Sequence, residues 1–361
     1  MPHATHLSRR ALLTAPLAVA AGCRAQGTAA APAARADPAP FRTLAPFPVG
    51  TCAMSDQMQD PQFAALLATN FDQLTPEWEM KMEAILQKDG RLDFTLPDAI
   101  AAVASSRGMR LHATTLVWHE QKAPAFLALD GQTTRFKVAY RNYILAVAGR
   151  YRGRAAGWDV VNEPVRNDSE GYYDSIFSRN LGPAHIEDAF FLAREADPKA
   201  VLFLNEYNLE YMPAKRRLFL KLAERLLKAG APLGGLGTQS HLVASSRLGQ
   251  VTESLRDLAS LGLPIHVSEL DVSTKEGTYV AMGQAERLTR QAALVQETVE
   301  AFSALPAAQR YALTVWGVRD KDAWKARPPN DGTDQPLLFD AQGKAKPAAR
   351  AFAEALAKAP R

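Results

Sequence analysis

Gly157-Trp158-Asp159-Val160-Val161-Asn162-Glu163-Pro164 decides the fold, together with a later counterpart, Ile265-His266-Val267-Ser268-Glu269-Leu270-Asp271-Val272. Each is a short run of apolar and β-branched residues that ends on a carboxylate. Runs of this kind are buried parallel strands, covered on both faces, and their last residues emerge at the mouth of a barrel or sheet. Two carboxylates delivered by two strands form a pair with chemical use. Glycosidic bond cleavage requires one group to protonate the leaving oxygen and another to attack or steady the cationic sugar carbon.

Outward from these two stretches the same alternation continues. Strands are expected to end near Cys52, Glu77, His119, Glu163, Asn208, His241, Asp271 and Val318. Between and after them, apolar residues at three- and four-residue spacing predict helices over 61–69, 97–106, 133–151, 186–196, 214–229, 248–261, 284–304 and 347–358. Gly108, Gly153, Gly230 and Gly262 fall just past four of these helices, where a left-handed cap residue is needed. Strand-helix units in uninterrupted series predict an α/β protein, a single (β/α)8 TIM barrel over residues 44–361. An open doubly wound sheet would need a glycine-rich phosphate turn after its first strand. Gly234-Gly235-Leu236-Gly237 lies instead in the sixth unit and opens a strand.

The composition agrees with a globular protein: 361 residues, 47% hydrophobic and 22% charged. A net charge of +4 without basic clusters excludes nucleic acid as the expected partner. The Lys and Arg residues read as solvated helix faces. Ser8-Arg9-Arg10, followed by a modest apolar stretch to Ala21, resembles a twin-arginine export signal and is too short to span a bilayer. Gly22-Cys23 then leaves two readings open. Either Cys23 is acylated and tethers the protein to a membrane, or the signal is cut a few residues later. Residues 1–23 are therefore expected to be the signal, and the Ala- and Pro-rich residues 24–43 a flexible linker. The product would be periplasmic, anchored on the envelope, or secreted. With only Cys23 and Cys52 present, no disulfide framework is implied.

In a barrel, chemistry gathers where strands end. Glu77, Trp118, His119, Asn162, Glu163, Asn205, Gln239, His241, Glu269, Asp271 and Trp316 all fall at or just past such ends. Other chemistries lack their residues: there is no Gly-x-Ser-x-Gly elbow, and His119-Glu120 has no second histidine for zinc. Hydrolysis by paired carboxylates calls for no metal and no other cofactor. A non-catalytic sugar-binding barrel would keep the tryptophans but would have no use for both Glu163 and Glu269.

From about Phe47 to Ala357 the chain resembles glycoside hydrolase family 10, the (β/α)8 endo-1,4-β-xylanases. The resemblance is carried by Leu116-Val117-Trp118-His119 with Gln121 and Pro124, by Trp158 to Pro164, and by Asn205-Glu206-Tyr207-Asn208. Gly237-Thr238-Gln239-Ser240-His241, Ser268-Glu269-Leu270-Asp271 and Trp316-Gly317-Val318 with Asp320 and Trp324 complete it. It implies that Glu163, in the fourth unit, is the acid/base and Glu269, in the seventh, the nucleophile of a retaining enzyme acting as a monomer on a polysaccharide. To act as an acid, Glu163 must keep its proton near neutral pH, which the negative charge of Glu269 favours. Asn162 is placed for the sugar 2-hydroxyl. His241, held by Asp271, is expected to orient Glu269, with Gln239 in support. Trp118, Trp316 and Trp324 are the expected walls, with His119, Gln121 and Asn205 beside them and Tyr207 toward the leaving group.

The chain departs from the family at two places on the non-reducing side. Trp78 stands after Glu77 where an Asn is usual, and Thr114 stands where a His is usual, while Lys81 is retained. Loss of such polar pairings can cost orders of magnitude against the substrate that needed them. The machinery thus reads as intact and the glycan as open: xylan, or another β-glycan or aryl glycoside.

Overall fold

A computed structural model describes residues 37–275, 277 and 282–361. The export signal, Cys23 and most of the expected linker lie outside these residues. The strands are β1 (Val49–Ala53), β2 (Gln73–Pro76), β3 (Arg110–Trp118), β4 (Ala155–Asn162), β5 (Val201–Glu206), β6 (Gly235–Thr238), β7 (His241–Val243), β8 (Ile265–Ser273) and β9 (Arg310–Val315). All pairings are parallel, in the order β6-β5-β4-β3-β2-β1-β9-β8-β7, and a β6–β8 pairing closes the ring. The barrel therefore has eight staves, with β7 a short strand that extends the sixth unit beside β8. Because helices cover the outside and side chains fill the inside, β8 is buried at every position, with its apolar residues interleaved with the buried polar side chains of His266, Glu269 and Asp271.

The expected helices occur over 61–70, 95–106, 133–150, 185–196, 213–228, 250–259, 284–303 and 347–357. Their ends follow local chemistry. Asp60 accepts from the backbone N–H groups of Gln62 (2.9 Å) and Phe63 (3.2 Å), and Pro61 occupies the first helical position, where no N–H is needed. Gly108, Gly153, Gly230 and Gly262 each take a positive φ just past a helix.

Two expectations need correction. The linker does not run to residue 43, because Phe41 is fully buried and packs on Phe71, Phe339 and Phe352 with ring centroids 5.0–5.9 Å apart. An aromatic side chain with that much apolar area packs between the helices of 61–70 and 347–357 rather than staying in water. Nor are all basic residues solvated: Lys215, on the helix after β5, is completely buried. The barrel interior is also more polar than expected. His112, Asp159, His266 and Thr314 are buried there, with His112 Nε2 3.0 Å from Asp159 Oδ1 and His266 Nε2 2.8 Å from Thr314 Oγ1.

Candidate active site

Parallel register brings the candidate residues into rows. Trp118 of β3 stands opposite Asn162 of β4, and Asn162 opposite Asn205 of β5. On the other side of the ring His241 of β7 stands opposite Asp271 of β8. Glu163 follows immediately after β4 with φ 54°, a left-handed backbone that non-glycine residues seldom adopt, and its N–H donates to the Asn205 carbonyl at 2.9 Å. That turn lifts the carboxylate away from the strand direction and into a cage of donors. Trp118 Nε1 donates to Glu163 Oε2 at 2.8 Å, while Gln239 Nε2 and Asn162 Nδ2 donate to Oε1 at 2.7 and 3.0 Å.

The second carboxylate is tied into the same network. Asn205 Nδ2 donates to Glu269 Oε1 at 3.2 Å and to Asn162 Oδ1 at 2.9 Å, and Ser268 Oγ donates to Asn205 Oδ1 at 2.9 Å. Glu163 and Glu269 are thus joined through two side-chain amides. The other oxygen of Glu269 lies 3.3 Å from His241 Nε2, whose Nδ1 is 3.1 Å from Asp271 Oδ2. Burial opposes a charge on His241, but the Asp271 and Glu269 carboxylates outweigh it and push its pKa up to about 10. Asp271 shows the reciprocal effect: burial would raise its pKa, yet the His241 charge holds it below the ordinary value. At neutral pH the pair is an imidazolium and a carboxylate, and the imidazolium faces Glu269.

Aromatic walls surround the carboxylates. Trp316 is nearly buried and Trp324 is 39% exposed, and both indoles lie beside the His241 ring. Trp324 Nε1 donates to Asp271 Oδ2 at 2.8 Å, so this wall also holds the Asp271–His241 pair. Lys81 Nζ sits 5.1 Å from the Trp118 ring and 6.0 Å from that of Trp78, which is 43% exposed. His119 stacks flat on Tyr173 at 3.9 Å, and the Tyr173 hydroxyl is 3.2 Å from that of Tyr207.

Two candidates occupy other positions than expected. Gln121 is buried, and its Oε1 accepts from the Trp118 backbone N–H at 2.9 Å, so it braces the turn that presents Trp118 instead of facing the cleft. Thr114 lies in mid-strand, paired with Asp159, and is 2% exposed. Sequence reading also missed several neighbours. Glu206 and Lys215 form a fully buried ion pair at 2.9 Å, and Lys215 Nζ lies 3.5 Å from the Tyr207 ring centre. Burial, against the pull of Lys215 and with the push of Glu163, raises the Glu206 pKa to about 8. Glu206 stood inside a quoted motif and could have been singled out. Tyr173 and Arg327 lie in irregular segments with no periodic signal.

The model of Glycosyl hydrolase family 10 matches residues 43–355. Endo-1,4-beta-xylanase 3 of Hypocrea jecorina is 32% identical over 302 residues, covering 83% of this chain and 79% of that protein. Exoglucanase XynX of Acetivibrio thermocellus is 32% identical over 323 residues, but those cover 85% of this chain and only 28% of that longer protein. The chain likewise spans 29% and 26% of two other long bacterial relatives. Among solved structures, a thermostable mutant of a xylanase (Xyn10A) from Cellvibrio japonicus has a TM-score of 0.81 and 30% identity, covering 88% of this chain and 99% of that one.

Proposed function

The chain belongs to glycosyl hydrolase family 10, and from that premise we propose that it is a retaining endo-1,4-β-xylanase. The observation that carries this reading is the pair Glu163, just past β4, and Glu269, within β8, linked through Asn162 and Asn205. Glu163 donates its proton to the glycosidic oxygen as Glu269 attacks the anomeric carbon, the leaving chain departs, and a glycosyl ester remains on Glu269. Glu163, now a carboxylate, takes a proton from water as the water oxygen attacks the same carbon, and Glu269 is released with configuration retained. The His241 imidazolium supports Glu269 as an anion and fixes its direction, and Asn162 is near enough to serve the 2-hydroxyl of the reacting sugar. Trp118, Trp316 and Trp324 supply apolar faces for sugar rings, with Tyr207 on the leaving side.

A chemical-rescue experiment tests the roles. Glu269→Ala should regain turnover with azide and give a glycosyl azide of inverted configuration, whereas Glu163→Ala should act on substrates with good leaving groups and give the retained azide. Near wild-type rates on xylan for both variants would refute the assignment. A second reading, the same machinery on another β-glycan, is favoured by the exposed Trp78 beside Glu77. Export rests on Ser8-Arg9-Arg10 and the anchor on Cys23. Arg9→Lys with Arg10→Lys should hold the protein in the cytoplasm, and Cys23→Ala should free it from membranes; a soluble periplasmic wild type would rule out the anchor.

A further inference from the structure

Glu77 follows β2 directly, and its carboxylate is already occupied. Arg327 Nη1 donates to Oε1 at 2.6 Å and Nη2 to Oε2 at 2.8 Å, a two-toothed pair in which the Glu77 side chain is 10% exposed and the Arg327 side chain 37%. Arg327 comes from the segment beyond β9, past Trp324, and its Nη2 also donates to the Asp322 carbonyl at 2.9 Å. This clasp changes what the flank offers a ligand. Glu77 cannot act as an open acceptor for neutral hydroxyls, and what turns outward is the remainder of a guanidinium, which has donors only.

Lys81 adds to this. Its Nζ rests over the Trp118 and Trp78 rings and has no carboxylate partner among the described residues. The corner between β2 and the post-β9 segment thus gathers two cations, Arg327 and Lys81, under an exposed indole, with the Glu77 carboxylate consumed by the clasp and the Asp56 carboxylate close enough to act on Arg327. A neutral sugar needs acceptors as well as donors; a carboxylate needs only donors and positive charge.

Resting on the reading that a β-1,4-glycan occupies the cleft, we propose that this corner recognises a carboxylate on the glycan, a uronic acid side group. Arg327 is the specificity-determining residue and Lys81 the second cation. The clasp to Glu77 holds the guanidinium in place, so that recognition costs little side-chain entropy.

The test compares glucuronoxylan with the same polymer after chemical reduction of its carboxyl groups to alcohols, which keeps the chain and removes the charge. At low salt the wild type should show a kcat/KM at least fivefold higher on the native polymer, with the difference in KM and not kcat, and high salt should erase it. Arg327→Met should bring the ratio of the two polymers to near one. Should that variant not fold, because Glu77 is left unpaired, Lys81→Met leaves the clasp intact and should lower the ratio by itself. A wild-type ratio of one, or a ratio unmoved in a folded Arg327→Met, overturns the proposal. Hydrolysis of neither polymer would instead overturn the xylanase reading on which it rests.

Discussion

Replacing Asp271 by Asn should lower the pKa of His241 and loosen its hold on Glu269. The substitution keeps shape and leaves an oxygen for the Trp324 indole N–H, but it removes the charge 3.1 Å from His241 Nδ1. A rise of His241 from 6.5 to about 10 corresponds to about 5 kcal/mol favouring the imidazolium, at about 1.4 kcal/mol per tenfold change. Two carboxylates produce that rise against burial, and Asp271 is the larger contributor, so deleting it should bring the His241 pKa well down from about 10. The imidazole proton resonances followed by NMR across pH, with His241→Asn identifying the signal, measure this directly. Linkage adds a second readout. A histidine whose folded pKa is raised contributes stability that is complete below about 6.5 and is lost as pH rises toward about 10. In the variant the contribution should be smaller and lost at lower pH than in the wild type. A wild-type His241 that titrates near 6.5, or an Asp271→Asn protein in which it still titrates near 10, would refute the electrostatic account of this pair.

Lys215→Met should destabilise the fold by about 3–5 kcal/mol in urea unfolding at pH 9, above the Glu206 pKa of about 8, because the Glu206 carboxylate loses its buried partner, and by less at pH 6, where Glu206 is protonated. Adding Glu206→Gln should recover most of that loss; if it does not, Lys215 contributes through packing and not charge. Trp78→Asn should raise kcat/KM on linear xylan about tenfold, or about 1.4 kcal/mol of transition-state binding; a fall would mean that the indole stacks productively on the sugar.

The barrel was legible because its evidence is periodic. Burial on both faces selects short strands rich in apolar and β-branched residues such as Val201 to Leu204, and left-handed helix ends select glycine at 108, 153, 230 and 262. What stayed hidden depends on contacts between distant segments. Lys215 sits on a helix with several other basic residues, and only the fold turns it inward to Glu206. Arg327 reaches back 250 positions to Glu77, a pairing no local pattern encodes. Gln121 is a polar residue near the cleft by spacing, yet its oxygen is spent on the Trp118 backbone. Phe41 lies next to an Ala/Pro-rich stretch, and composition averaged over that stretch masks one aromatic that belongs to the core.

The backbone at Glu163 connects the two levels. Holding a non-glycine residue at φ 54° costs on the order of 1–3 kcal/mol, and the conformation persists only if the surroundings over-determine it. They do: the Asn205 carbonyl takes its N–H, and the Trp118, Gln239 and Asn162 side chains converge on its carboxylate from three different strand ends. Each of those donors is itself placed by barrel register, with Trp118 opposite Asn162 and Asn162 opposite Asn205. Asn205 also reaches Glu269, so the group that holds the backbone turn at one carboxylate orients the other. The pair therefore moves as one unit with the barrel ring, and the strain at Glu163 is offset by the same parallel pairing that closes the fold.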